Sequence, residues 1–216
     1  MTKECFDANC RQCVRLAEFL DQIGEEYPNY HARPVAPFGA KKPDLLIVGL
    51  APGMHGANAT GRPFTGDHAG ILLYETLFKY GFSSSAESLS ADDGLKLKGC
   101  QITNAVKCLP PQNKPLTEEI KNCNVFLQQE LAALKSGAVI IALGTIAHQA
   151  VIRALTLAQK DYRFSHAAEH SLPGERCLID SYHCSRYNTQ TRRLTESMFH
   201  QVFARAAELT GRKVPA

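Results

Sequence analysis

The sequence predicts one α/β domain in three layers, with a central four-stranded parallel sheet flanked by helices. Short apolar runs alternate with amphipathic stretches along the chain, as in repeated strand–helix units. The first such run, Leu45–Val48, is apolar at every position, as expected for a strand buried on both faces. The 216 residues are 44% hydrophobic and contain no repeat or linker, so residues 1–216 are expected to form a single domain.

The first half of the chain supplies two helices and one strand. Apolar residues at helical spacing predict a helix over about Cys13–Glu26. A Pro-rich connector over 27–43 leads to the first strand, Leu45–Gly49. A helix follows over about Asp67–Tyr80, and Asp67 is a suitable N-cap for it.

The second half repeats this alternation. After a Ser-rich loop (83–93), a strand is predicted at Gln101–Val106. The Pro-rich stretch 109–115 excludes both a helix and a central strand. A helix then begins near Thr117, where two glutamates favour the first turn, and runs to about Lys135.

The remaining elements complete the predicted sheet. A third strand at Val139–Leu143 is followed by a helix through about Ala158. A fourth strand covers Cys177–Ser181, and a final amphipathic helix covers about Thr191–Leu209.

A glycine-rich loop, Gly49–Asp67, joins the first strand to its helix. It contains Gly or Pro at six positions between Pro52 and Gly66, which is too many for a packed core element. Open α/β sheets bind ligands at the carboxyl ends of their strands. The loop is therefore predicted to approach a ligand closely.

Charge and hydropathy exclude some functional classes. The sequence has no run of 18 apolar residues, so neither a transmembrane helix nor a membrane partner is expected. Residues 1–10 lack an apolar signal core, so we expect a cytoplasmic, nucleoid-associated protein rather than an exported one. Six Lys or Arg against two acids lie between Arg186 and Lys213, which fits either a phosphate-facing surface or a solvated helix face.

Eight cysteines without an export signal argue against a disulfide framework. Two sets of four thiolates are possible: Cys5, Cys10 and Cys13 with a distant fourth, or Cys10, Cys13, Cys108 and Cys123. Spacing decides neither between the sets nor between an iron–sulfur cluster and zinc. Cys100 and Cys177 lie beside apolar strands and are expected to be core residues.

Six segments carry a family resemblance, in family order and over nearly the whole chain. They are GLAPG (49–53), GRPFTGD (61–67), ITNAVKC (102–108), PPQNKP (110–115), EEIKNC (118–123) and SYHCSRYNTQT (181–191). Together they resemble the uracil-DNA glycosylase superfamily, most of all its iron–sulfur family 5, the type-B enzymes. The resemblance implies that fold and a [4Fe-4S] cluster on Cys10, Cys13, Cys108 and Cys123.

The implied reaction is hydrolysis of the N-glycosidic bond of flipped-out uracil in DNA, and of other deaminated bases such as hypoxanthine, by a monomeric, monofunctional enzyme. By resemblance, Phe64 stacks on the base, and Asn104 reads its edge. His183 donates to the base as negative charge builds, and Asp67 orients water or stabilises the cationic sugar. Ala51 and Gly53 also contact the substrate.

Each role has a structural alternative. Phe64 can be a core anchor, Asn104 a buried amide bonded to backbone, and His183 an ordinary core or surface histidine. Asp67 is favoured as a helix N-cap by sequence alone.

The loop after the fourth strand is expected to contact DNA. Ser185, Arg186 and Tyr187 enter the duplex or grip phosphates, and Arg186 can fill the gap left by the flipped nucleotide. His55 and His68 are expected near the site as phosphate or base contacts, with solvent exposure favoured for His68.

Three departures from the family pattern bear on activity. Many relatives carry a carboxylate or an amide where this chain has the apolar residues Leu50 and Ala51. Apolar residues at these positions agree with family 5. Water activation then shifts to Asp67 or to electrostatics. Cys184 replaces the usual proline and Arg192 a glycine. The alternatives are therefore a non-catalytic iron–sulfur nucleic-acid-binding protein and a zinc-stabilised hydrolase of small nucleosides.

Overall fold

The structure is a computed structural model that describes residues 6–214, and within this range one six-stranded sheet is flanked by seven helices. The strands are β1 (Phe38–Gly39), β2 (Leu45–Gly49), β3 (Cys100–Asn104), β4 (Val139–Leu143), β5 (Glu169–Leu172) and β6 (Arg176–Ser181). The helices are α1 (Val14–Glu26), α2 (Ala57–Thr60), α3 (His68–Lys79), α4 (Thr117–Ala132), α5 (Thr145–Ala154), α6 (Arg186–Gln190) and α7 (Glu196–Leu209).

The sheet has the order β1-β3-β2-β4-β6-β5. The four predicted strands form its parallel centre, which confirms the predicted fold class. The structure adds two antiparallel edge strands, β1 beside β3 and β5 beside β6. Sequence patterns missed them because β1 has only two residues and β5 has only one apolar residue, Leu172, among its four.

Both faces of the sheet are covered, and every residue of β2 and β4 is buried. Helices α3 and α7 pack on one face, and α4 and α5 pack on the other. This three-layer arrangement leaves the carboxyl ends of the parallel strands uncovered by either helical layer. No helix in the described residues is long and apolar enough to cross a membrane.

The predicted final helix is wrong at its beginning. Residues 191–195 separate α6 from α7, and Arg192 within this break has φ of 56°. Thr195 then caps α7 by accepting a hydrogen bond from Met198 N at 3.2 Å. The predicted strand to Val106 ends at Asn104, and the glycine-rich loop contains the short helix α2, which was not predicted.

A buried His–Asp–His group joins α5 to the sheet. Asp180 accepts hydrogen bonds from His148 Nδ1 at 2.8 Å and His170 Nε2 at 2.9 Å. His148 Nε2 lies 2.9 Å from the carbonyl oxygen of Tyr162. Because both partners of the His148 ring are acceptors, they favour the protonated ring, which donates from both nitrogens. Burial lowers the pKa of His148, but the hydrogen bond and charge of Asp180 outweigh it, so the pKa is raised.

We expect His148→Gln to lower the free energy of unfolding by about 3 kcal/mol at pH 6, because the buried Asp180 carboxylate loses a cationic partner. Because the pKa of His148 is raised in the folded state, its contribution to the free energy of unfolding is fully present below its unfolded pKa of about 6.5. That stability is lost as pH rises through the folded pKa, so the difference from wild type shrinks by pH 9. Urea denaturation at both pH values measures it.

His200→Gln is the matched control for this titration. Burial and the charge of Lys79 lower the pKa of His200. The destabilisation caused by His200→Gln is therefore not expected to shrink as the pH rises. Equal destabilisation of His148→Gln at pH 6 and pH 9 would show that His148 carries no charge in the folded protein.

Candidate active site

A cavity of about 540 Å³ opens at the carboxyl edge of the sheet. It is bordered by the chain that follows β2, β3, β4 and β6, as expected for parallel strands. The predicted site residues that line it are Ala51, Gly53, Phe64, Asp67, Asn104, His183, Ser185 and Arg186. Residues far apart in the sequence therefore share one cavity.

Gly49, the last residue of β2, permits this convergence. It pairs with Asn104, the last residue of β3. A Cβ on Gly49 would lie 2.4 Å from Asn104 Oδ1 and 2.7 Å from Phe64 Cζ. The missing side chain lets both groups approach the strand end.

The backbone at Phe64 is constrained. Its φ is 58°, in the left-handed region that non-glycine residues rarely adopt. Tyr74 holds the preceding residue, because its hydroxyl donates to the carbonyl of Pro63 at 2.8 Å. Gly70 makes room for the turn, since a Cβ there would lie 1.8 Å from the carbonyl oxygen of Phe64. Strain of this kind is often found at ligand sites.

Asn104 is 3% exposed, and its Oδ1 has no hydrogen-bond partner in the described part of the chain. Leaving a buried acceptor unpaired costs about 1–3 kcal/mol. The alternative of an amide satisfied by backbone therefore does not describe this oxygen. Asn104 lines the cavity, so this unpaired acceptor belongs to the cavity wall.

His183 follows β6 and packs beside Phe64. The two ring centroids are 5.9 Å apart, with planes inclined by 25°. Asn188 Nδ2 donates to the His183 carbonyl at 2.8 Å and so fixes its backbone. Burial lowers the pKa of His183 to about 4. The ring is therefore neutral at pH 7 and carries one N–H donor.

Asp67 occupies the N-cap position of α3, but its side chain makes no capping hydrogen bond. The expectation of a side-chain cap is wrong for this reason. The carboxylate turns instead to the glycine-rich loop and accepts from Ala57 N at 3.3 Å. Gly56 leaves space for it, since a Cβ there would lie 1.9 Å from Asp67 Cγ. Burial raises the pKa of Asp67, although the Ala57 amide and the charge of His55 oppose that shift.

The loop after β6 forms one wall of the cavity mouth. Ser185 caps α6 by accepting from Asn188 N at 3.4 Å, and Arg186 is exposed at the mouth. Tyr187 is 70% exposed and does not line the cavity. Cys184, in place of the family proline, is buried, and its thiol donates to the Ala69 carbonyl at 3.3 Å. This contact ties the loop to α3.

The two further histidines separate. His68 is exposed and lines the cavity, as predicted. His55 is not among the lining residues, and its Nδ1 lies 2.9 Å from the Tyr30 hydroxyl. The His55 ring packs against Tyr27 and Tyr30, and it acts on the site through its charge, which opposes the raised pKa of Asp67.

Sequence reasoning missed six lining residues: Ala69, Asn113, Leu143, Gly144, Thr145 and Ile146. The last four join β4 to α5, where Gly144 has φ of 97°. The signal was present, because Gly144 follows a buried parallel strand just as the glycine-rich loop follows β2. Asn113 follows no strand directly and gave no comparable signal.

Four cysteines from distant segments line a second, smaller cavity: Cys10, Cys13, Cys108 and Cys123. Leu16, Val106 and Phe126 make its surroundings apolar. Burial and the charges of the neighbouring thiolates raise the pKa of Cys108 to about 12, and burial raises that of Cys123 to about 11. The thiols of Cys108 and Cys123 are therefore costly to ionise unless a cation binds them.

The distances between the cysteine sulfur atoms are relevant to the kind of metal group that these cysteines could hold. In the described range, no three cysteine sulfurs lie within 4.8 Å of one another. Tetrahedral zinc with bonds of 2.3 Å would place its four sulfurs about 3.8 Å apart. Cys5, the remaining candidate, lies outside the described residues. Cys100 is buried as expected, whereas Cys177 is partly exposed.

The group His148, His170 and Asp180 brings three metal-ligand types within 4.8 Å. The hydrogen bonds described above account for this arrangement without an ion. None of the three residues lines the cavity at the sheet edge.

Comparison with known proteins gives a consistent result. A family model described as the Uracil DNA glycosylase superfamily matches residues 36–207. A Type-5 uracil-DNA glycosylase of Thermus thermophilus is 45% identical over 210 residues, which is 94% of each chain. One of Pyrobaculum aerophilum is 40% identical over 94% of this chain and 90% of its own. A Type-4 uracil-DNA glycosylase of Archaeoglobus fulgidus is 32% identical over 69% of this chain and 61% of its own.

We expect Gly49→Ala to lower the free energy of unfolding by about 1–3 kcal/mol, because its Cβ overlaps Asn104 and Phe64 and forces both to move. Urea denaturation measures the change. Gly24→Ala is the matched control: its Cβ meets only Ala32 Cβ, at 3.6 Å, inside α1. It is expected to gain about 0.5–1 kcal/mol from helix propensity. A Gly49→Ala protein as stable as wild type would mean that the site tolerates a side chain there.

Proposed function

The chain belongs to the uracil DNA glycosylase superfamily, and from this membership we propose that it is a uracil-DNA glycosylase of base-excision repair. It hydrolyses the bond between uracil and deoxyribose in DNA. The observation that carries the proposal is the shared cavity of Phe64, Asn104 and His183. A stacking face, an edge reader and a neutral donor are the groups that a flipped-out base needs.

Base binding rests on Phe64 and Asn104. Stacking of a base on an aromatic ring is worth about 1–3 kcal/mol. The unpaired Oδ1 of Asn104 accepts an N–H from the base edge, and its amide nitrogen can donate to a base carbonyl. Uracil offers both groups. When the base enters, it gives Asn104 Oδ1 a hydrogen-bond donor and so removes the cost of leaving that oxygen unpaired.

Bond cleavage places negative charge on the base and positive charge on the sugar. His183, neutral because burial lowers its pKa to about 4, donates one hydrogen bond to the base oxygen. A preorganised donor of this kind contributes about 2.7–4 kcal/mol. Asp67 stands at the cavity wall with an oxygen beyond its Ala57 contact, and it orients water or stabilises the sugar cation.

The reaction is a simple hydrolysis in this proposal. A bifunctional enzyme needs an amine that forms a Schiff base with the sugar. None of the described residues that line the cavity is a lysine. A cavity without a lysine among its described lining residues is consistent with a monofunctional glycosylase.

The proposed substrate range extends beyond uracil. Leu50 and Ala51 line the cavity with apolar groups where a carboxylate or amide would restrict the base. Such a wall rejects a related base weakly. Hypoxanthine is therefore proposed as a second substrate.

A [4Fe-4S] cluster is proposed on Cys10, Cys13, Cys108 and Cys123. Their convergence on one apolar cavity supports this donor set. When bound, the cluster supplies four iron–thiolate bonds and takes no electrons from the hydrolysis. These bonds tie the chain before α1 to the segment after β3 and to α4, so the role is structural.

The wild-type protein is expected to release uracil from a single-uracil oligonucleotide, so that alkali breaks the strand at that position. His183→Ala should lower the rate by about 10²–10³-fold through loss of the donor. Asn104→Ala should also lower the rate, through loss of the edge reader. Gel electrophoresis of the cleaved strand measures each rate, and circular dichroism verifies folding.

Matched controls are His200→Ala and Asn29→Ala, which lie outside the cavity. Intact DNA with retained binding would instead support the non-catalytic nucleic-acid-binding alternative. Wild-type rates in both site variants would remove the two residues from the mechanism. Replacing uracil by hypoxanthine in the same oligonucleotide tests the proposed range.

Iron and sulfide analysis of the purified protein is expected to give about four iron atoms per chain, with visible thiolate–iron absorbance. Cys108→Ser should lower iron content and the melting temperature, because a structural metal site contributes folding energy. Cys177→Ser is the matched control, since this cysteine lies on β6 away from the cysteine cavity. Zinc without sulfide in the wild-type protein would contradict the cluster.

A further inference from the structure

We propose that Lys107 is a positioning residue for Asn104, acting through the main chain of β3 rather than by contact with DNA. The inference rests on the proposed function, because it concerns how the base-reading amide is held. Lys107 is 1% exposed and does not line the cavity. Its role must therefore pass through its neighbours.

The Lys107 ammonium has three donors, and the structure supplies three acceptors. It donates to the Asn104 carbonyl oxygen at 3.0 Å and to Glu130 Oε1 at 2.7 Å. It also donates to Thr103 Oγ1. Two of these three partners are the final residues of β3, so one buried cation grips the strand end on which the Asn104 amide stands.

The hydrogen bonds of Lys107 lie at the point where the regular β2–β3 hydrogen bonding ends. Asn104 is the last residue of β3, and the next amide, Ala105 N, bonds to the Gly49 carbonyl at 2.9 Å. The Asn104 carbonyl turns to Lys107 instead. Since the direction of a side chain follows from the backbone that carries it, a charge-assisted bond to this carbonyl restrains where Asn104 Oδ1 points.

Glu130 on α4 balances the buried charge, and its side chain is 7% exposed. Its Oε2 has no partner in the described residues, so the pair is not fully satisfied. Stability alone is a weak reason for such a pair, because apolar residues of similar size often replace one without loss. Apolar residues could not hydrogen-bond the Asn104 carbonyl, so placement of Asn104 is a role that only a polar or charged side chain can fill here.

The same residue also contacts the cysteine cavity. The backbone N–H of Lys107 donates to Cys123 Sγ at 3.2 Å. A side-chain substitution keeps this amide, so the effect on Asn104 can be separated from an effect on the thiolates. Iron content is thus a readout that should not change.

The test uses Lys107→Met/Glu130→Met in the full-length protein, which removes both buried charges together. Excision of uracil should slow by about 10–100-fold, as expected for a displaced catalytic contact. Binding to a duplex with a tetrahydrofuran abasic analogue, which has no base edge, should change by less than about twofold. In an Asn104→Ala background the same double change should have no further effect beyond about twofold.

Asp44→Asn/Lys135→Met is the matched control. It removes an exposed ion pair of similar length, 2.9 Å, whose two residues do not line the cavity. Wild-type rates are expected for it. Lys107→Gln/Glu130→Gln keeps a neutral donor near the Asn104 carbonyl and should recover part of the rate, and it also serves if the methionine pair does not fold.

A folded methionine or glutamine pair with the wild-type excision rate would overturn the inference. So would a parallel loss of abasic-DNA binding, or an equal fractional loss in the Asn104→Ala background, since either shows an effect that does not pass through Asn104. A wild-type protein that leaves uracil in place would instead defeat the proposed function, so the two failures are distinguishable.

Discussion

The structure depends on the pairing of Gly49 with Asn104 at the end of the β2–β3 ladder. Only hydrogen occupies the side-chain position of Gly49, and the space is shared by the Asn104 amide and the Phe64 ring. Every residue of β2 is buried, so close packing against both helical layers, rather than an alternation of apolar and polar residues, holds its register. Ordinary core packing thus determines the position of a reactive cavity.

Burial has a different chemical effect on each polar group around that cavity. It keeps the His183 imidazole neutral and raises the proton affinity of Asp67. Among the described residues it leaves Asn104 Oδ1 without a partner, whereas it confines Lys107 with three acceptors. Lys107, whose donors are satisfied, does not line the cavity, whereas Asn104, whose Oδ1 is not satisfied within the described residues, does.

Much of the fold and part of the site could be predicted from the sequence. The four central strands were found because parallel strands buried on both faces are apolar runs. The edge strands and the break before α7 were missed, since a two-residue strand and a bend at Arg192 have no periodic signature. Asp67 was misread as a side-chain cap because its partner, Ala57, belongs to a short helix that local propensity does not reveal. The Lys107 contacts required coordinates, as Glu130 lies 23 residues away in sequence.

A crystal structure with duplex DNA that carries a non-hydrolysable 2′-fluorinated deoxyuridine tests the central claim most directly. The account predicts the uracil outside the stack, over the face of Phe64, with Asn104 Oδ1 about 2.7–3.2 Å from a base nitrogen. It also predicts a His183 ring nitrogen at similar distance from a base oxygen. A uracil still stacked in the duplex, or bound outside this cavity, would contradict it.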